Sequence, residues 1–273
     1  RHPMRRQRGR RNLAGSPGTG GGGKPPVNDD FYIGYEARAP AGLARFIRRL
    51  LLGLAFAVAA LAGLVAARQT PAEPGRFEFG VRRDFEGVLH ELPLPVLRVP
   101  GEAGAVTNLL LVGAGKHGLP AFARGHDGAR VRFRGSLIQQ GVSLMVEMND
   151  AASFAVLDPA PAEDTRLAAE DLGRVSLVGE LVDTKCWFGV MRPAAGKVHR
   201  ACAVRCLSGG IPPGLLLRDA AGGGVVVLLA GSDGGPLKFP PAWAARVVRA
   251  EGRLVRDGNL LTLAGDLLGL ERP

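Results

Sequence analysis

Between residues 186 and 206 the chain holds all three of its cysteines, in the pattern Cys186-x15-Cys202-x3-Cys206, with His199 three residues before Cys202. Thiolates and a neutral imidazole are the ligands that zinc and other thiophilic metals prefer. The stretch Lys197 to Leu207 has helical composition, and Gly209-Gly210 and Pro212-Pro213 follow it as a stop. On such a helix His199, Cys202 and Cys206 share one stripe, because positions three, four and seven apart stack on one face. Cys186, at the end of a preceding strand, is expected to face that stripe. The expected metal set is therefore Cys186, His199, Cys202 and Cys206, suited to zinc or copper, with Met191 as a soft extra ligand for copper.

The same residues support two other arrangements. Outside the cytoplasm cysteines tend to pair. Cys202 and Cys206 stand one helical turn apart, with Cβ atoms about 5–6 Å apart, whereas a disulfide needs about 3.8 Å. A bond from Cys186 to Cys202 or to Cys206 is the better staple, closing a loop worth about 3 kcal/mol. The remaining thiol would then lie near Lys197, Arg200 and Arg205, cations that lower a thiol pKa. In the third arrangement Cys202 or Cys206 is a nucleophile and His199 its base. The chain has no CxxC pair, no CxxCH, no GxSxG and no P-loop; GAGKHG around His117 lacks the required spacing. Glu180 and Asp183 flank the cysteine strand but, three apart, are expected on opposite faces. His90, His117 and His126 are read as polar loop or surface groups. The balance leans away from an enzyme.

The elements that must position these residues come as two copies. VRFRGSLIQQGVSLMVE begins at Val131 and VRAEGRLVRDGNLLTLAG at Val248; Gly135, Leu137, Gly141 and Leu144 match Gly252, Leu254, Gly258 and Leu261 at a constant offset of 117. Each reads as a hairpin of alternating strands about a Gly turn. Pro120-Ala121-Phe122 and Pro241-Ala242-Trp243 precede the two hairpins and suit a short helix. Upstream, FEGVL around Gly87 matches LVGEL around Gly179, and two more apolar runs lie between in each copy. Three strands, a short helix and two strands is the order of an OB-fold, a five-stranded Greek-key barrel whose first strand bends. The predicted fold is mostly β: OB-like barrels over 77–157 and 172–270, joined by a linker at 158–171. The offset grows from 92 at the first strand to 117 at the hairpin, so the second copy carries an insertion, 184–213, and it contains every cysteine.

Ahead of the barrels, Leu50 to Ala67 is an uncharged run of eighteen residues, flanked by Arg45, Arg48 and Arg49 before it and Arg68 after it. That length and flanking charge predict a single transmembrane helix over 50–67, with the N-terminus cytoplasmic and the barrels beyond a bacterial inner membrane, in the periplasm. A signal peptide, cleaved near VAARQ or of twin-arginine type, is the rival reading. The formal net charge of +10 sits at the front: residues 1–26 carry seven cations and no acid, and residues 50–273 net only +2. The basic, Gly-rich tail over 1–49 is expected to be disordered. Val27 suits a translation start, and 68–76, with Pro71 and Pro74, a linker. With near-neutral barrels and Phe133 the one aromatic in the hairpins, nucleic acid is not an expected partner.

The segment Gly179 to Gly214 resembles one found in uncharacterised bacterial exported or membrane-anchored proteins, through the D-x-x-C-W of Asp183 to Trp187 and the H-R-A-C-A-x-x-C of His199 to Cys206. The DFYIGYEARAP stretch before the apolar run resembles the same group. The resemblance implies that Cys186, His199, Cys202 and Cys206 form that group's site. The Cys-x3-Cys spacing alone resembles copper-delivery proteins of respiratory oxidase assembly, which are thioredoxin-like. Together with the anchor, these features suggest a metal-binding or redox accessory protein acting with a membrane or periplasmic partner. The alternatives are a passive interaction module with a stapled loop and a thiol-dependent enzyme.

Overall fold

The structure, a computed structural model, describes residues 39–68, 75–100, 106–157, 169–218 and 224–271. The expected basic tail up to residue 38, the Val27 start and most of both linkers lie outside the described residues. The chain divides into two compact units, Arg1–Arg68 and Gln69–Pro273.

In the first unit the described part is one helix, α1 (Ala41–Arg68), with no buried residue. It begins before the apolar run, taking Arg45, Arg48 and Arg49 into its first turns. Its 28 residues are long and apolar enough to cross a membrane, about 42 Å at 1.5 Å per residue.

The second unit contains two closed five-stranded barrels. In the first, β2 (Arg83–His90), β3 (Val96–Pro100) and β4 (Val106–Gly113) form an antiparallel meander. β5 (Arg130–Gln140) pairs with β2, and β6 (Ser143–Met148) closes the barrel by lying parallel to β4. The short strands β1 (Arg76–Phe77) and β7 (Ala155–Val156) add to β5. The second barrel repeats the scheme with β8 (Glu170–Asp183), β9 (Pro213–Arg218), β10 (Gly224–Gly231), β11 (Val247–Asp257) and β12 (Leu260–Leu270), the last parallel to β10. Ring order 1-2-3-5-4 with one parallel contact is OB-like, as the repeat predicts. Where a short helix is expected between the third and fourth strands, each barrel has a single 3-10 turn, Ala121–Ala123 and Pro241–Trp243. Gly87 and Gly179 occupy the same place in the two copies: a Cβ at either would run into the second strand, at the carbonyl of Arg98 or Leu216.

Each barrel has its own core, around Leu89, Leu111, Phe133 and Val146 in the first and Leu181, Leu215, Leu229 and Leu263 in the second. A third apolar layer joins them. Leu110 and Val112 of β4, Ile138 and Met145 meet Val182, Trp187, Phe188, Leu216 and Leu228. β4 therefore buries both faces, Leu109 and Leu111 into its barrel and Leu110 and Val112 into the joint. This is why NLLLVG reads as a continuous apolar run and not as an alternating strand. The hairpin tip between β11 and β12 adds polar contacts across the joint. Asn259 Oδ1 accepts from the Asn108 N–H at 2.7 Å, Asn259 Nδ2 donates to the Asn108 carbonyl at 3.0 Å, and Arg98 pairs with Asp257 at 2.5 Å.

Candidate metal centre

The insertion leaves the second barrel where β8 ends. Asp183, the last residue of β8, is fully buried, and its Oδ1 accepts from the Cys186 N–H at 2.9 Å. Cys186 thereby opens a wide helical turn, Cys186–Val190, which breaks at Gly189 (φ 145°). The chain returns through α2 (Arg200–Ser208), with His199 as its N-cap residue and not inside the helix. Gly210, at φ +92°, ends α2 in a Schellman arrangement, with the Ile211 N–H bonded back to the Cys206 carbonyl at 3.0 Å. Two short pieces of backbone, each tied at one end to a barrel strand, thus face each other.

Between them lie the three sulfurs, all free thiols. Cys186 Sγ is 3.8 Å from Cys202 Sγ, which is 3.9 Å from Cys206 Sγ, and all three lie within 4.8 Å of one another. Three sulfurs bound to one ion at about 2.3 Å would stand about 3.8 Å apart in a tetrahedral site and about 4.0 Å apart in a trigonal one. A disulfide would need about 2.05 Å. Cys186 and Cys206 are buried and Cys202 is partly exposed.

His199 joins a second group. Its Nε2 is 2.8 Å from Asp183 Oδ2, and with Cys186 these residues bring three donor atoms within 4.8 Å of one another. The four residues of the expected set thus fall into two groups that share Cys186: the three cysteines, and Asp183, Cys186 and His199. Asp183 is the member that strand alternation set aside. One carboxylate fixes both the turn that carries Cys186 and the residue that starts α2. Its partner Glu180 instead accepts from the Gly196 N–H and faces Arg218. Met191 is exposed.

Two lysines complete the site, and spacing gives no hint of either. Lys116, in the loop after β4 of the first barrel, places Nζ 2.7 Å from Cys202 Sγ and 3.7 Å from Cys206 Sγ. Its loop packs backbone to backbone on the end of α2. The Gly118 N–H donates to the Gly209 carbonyl at 2.8 Å, and a Cβ on Gly209 would run into the Lys116 carbonyl oxygen. Lys185, next to Cys186, points the other way. Its buried ammonium donates to the carbonyls of Gly113 and Gly115 at 2.8 and 2.7 Å and pairs with Glu147 of β6 at 2.5 Å. Lys185 thus holds the loop that carries Lys116. The cation on the thiols comes from the other barrel, where proximity in sequence had pointed to Lys197, Arg200 and Arg205.

These contacts divide the charge among the sulfurs. The Cys186 thiol is pushed far above the ordinary range by its hydrogen bond to the Cys206 sulfur, by burial and by the Asp183 carboxylate. Cys206 is held below the ordinary range, first by the bond from Cys186, with Lys116 and Cys202 adding to it. Lys116 is raised, chiefly by its contact with Cys202. The Cys206 contact, burial and Asp183 thus favour the protonated form at Cys186, while the Cys186 and Lys116 contacts favour the thiolate form at Cys206.

Comparison with known proteins finds no family model that matches the chain and no similar protein among the curated ones.

Proposed function

We propose that this is a membrane-anchored protein that binds one soft metal ion, copper(I) or zinc, through Cys186, Cys202 and Cys206. In this reading the barrels lie on the periplasmic side of a bacterial inner membrane, and the protein serves a membrane-bound respiratory or cofactor-assembly partner. The observation that carries the reading is the sulfur spacing of 3.8 and 3.9 Å. It matches thiolates arranged about a single ion and is almost twice a disulfide bond. Two further features support it. Lys116 offsets part of the negative charge that three thiolates gather. Asp183 fixes His199 and the Cys186 turn together, as carboxylates do around the ligands of metal sites. The apolar α1 supplies the anchor.

The test is elemental analysis of the full-length protein, purified in detergent without chelator, alongside a free-thiol count. About one equivalent of copper or zinc, with three thiols protected until a chelator removes the metal, is the expected result. No metal and one free thiol would mean a disulfide and would end this reading. A second reading, a thiol that attacks a partner's disulfide, is favoured by one contact: the Lys116 ammonium at 2.7 Å from Cys202, the one partly exposed sulfur. Such a protein would form a mixed disulfide through Cys202 and would be indifferent to metal removal.

A further inference from the structure

Beyond the apolar run, the segment that carries the cysteines is strongly polarised. From Thr184 to Arg218 there are six cations and no carboxylate, whereas the rest of residues 50–273 carries 18 cations against 22 acids. Lys185 is buried on Glu147, and Arg218 sits over Trp187 and faces Glu180. Arg205, Arg200 and Lys197 lie on α2 and in the turn before it, close in the chain to Cys202 and His199. Arg205 is exposed three residues after Cys202, on the adjacent surface of α2. Lys197 is exposed in the turn that leads into α2, and Arg200 is half-buried. Lys116 lies directly on Cys202. The carboxylates nearest to these cations are themselves engaged: Asp183 by His199, Glu147 by Lys185, and Glu180 by the Gly196 N–H and Arg218.

A hydrated metal cation is repelled by such a set of cations, and an anion is drawn to it. Cys202 is the sulfur that an incoming group meets first, since Cys186 and Cys206 are buried. We infer that the site takes its metal as an anionic complex, by ligand exchange at Cys202; this rests on the metal reading above. The metal keeps its oxidation state throughout. One bond from the metal to a donor ligand breaks, one bond to Cys202 Sγ forms, and the donor atom leaves with its electron pair. Where Cys202 enters as a thiol, its proton goes to the departing ligand or to water. Cys206 and Cys186 then close on the metal from the buried side.

The experiment loads the full-length, metal-free protein with copper(I) from two donors of opposite charge, the anionic glutathione complex and the cationic acetonitrile complex. Uptake is followed by the ultraviolet copper–thiolate band in stopped flow, at low and high salt. The comparison protein is the Lys197→Glu/Arg205→Glu double variant, whose fold is checked by circular dichroism. Native protein should load from the anionic donor on the order of 10-fold faster at low salt than at high salt. The double variant should lose that advantage, and the cationic donor should show the opposite order. Stoichiometric copper uptake at rates that depend on neither salt nor the two substitutions would overturn the inference and leave the metal reading standing. No uptake from either donor would overturn both.

Discussion

The buried Lys185–Glu147 pair offers a sharp test of how the two barrels share the site. The pair is 2.5 Å apart, and its side chains are only 2% and 10% exposed. Replacing Glu147 with Leu leaves the Lys185 ammonium out of water with two carbonyls for partners. An uncompensated buried charge of this kind costs about 3–5 kcal/mol. For a folded unit of this size each kcal/mol lowers Tm by about 2–4 °C, so Glu147→Leu should melt roughly 6–20 °C lower. Adding Lys185→Met removes the orphaned charge. What then remains is the loss of a donor for the Gly113 and Gly115 carbonyls, about 1–3 kcal/mol. The double variant should therefore be more stable than the single one, which simple addition of two losses does not allow. The assay is thermal unfolding of the full chain in detergent, read from the fluorescence of Trp187 and Trp243, the chain's two tryptophans. A single variant within 1 kcal/mol of native, or a double variant that melts lower than the single, would refute the account of the joint.

Three further outcomes follow from the site. Lys116→Met removes the cation from above the thiols, so the ultraviolet thiolate signal of the metal-free protein should titrate at higher pH than in the native protein. In sign, the folded pKa of Cys206 lies below its unfolded value; its contribution to stability is present above the unfolded pKa and is lost as pH falls through the folded one. An unmoved titration would remove Lys116 from the site's electrostatics. Gly209→Ala forces its Cβ into the Lys116 carbonyl; the expected cost is about 1–3 kcal/mol by denaturant unfolding, and a neutral result would mean that the loop does not pack on α2 as described. Asp183→Asn keeps the shape but weakens the hold on His199 and on the Cys186 turn; it should lower metal affinity about 10–100-fold in a chelator competition, and unchanged affinity would make Asp183 a purely structural residue.

The barrels were legible because their strands carry a repeat. A constant offset of 117 between Gly135, Gly141 and Gly252, Gly258 marks two hairpins of one design, and both form as antiparallel pairs. The insertion was legible for the same reason, as the place where the offset changes. Cys202 and Cys206 could be grouped from helical spacing, since they share a face of α2, and Cys186 was set opposite them by its place at the end of the preceding strand. What could not be read were contacts set by docking one barrel on the other. Lys116 meets a residue 86 positions away and Lys185 a carbonyl 72 positions away; no periodicity carries such pairings. Asp183 was missed because strand alternation ends with the strand: once the chain turns at Cys186, the carboxylate faces inward to the arriving His199. The 3-10 turns were expected as a helix because Pro and Ala suit a first helical turn, but the connection ends before a second turn can form.

The lysine on the thiols has a consequence for maturation. All three cysteines belong to the barrel made last, and the cation that tempers them to the barrel made first. A newly made chain in which the barrels have not yet docked carries its thiols without Lys116 against them. The thiol cluster and its cation therefore come together only when the two barrels dock, so the joint between them also completes the cluster's charge balance.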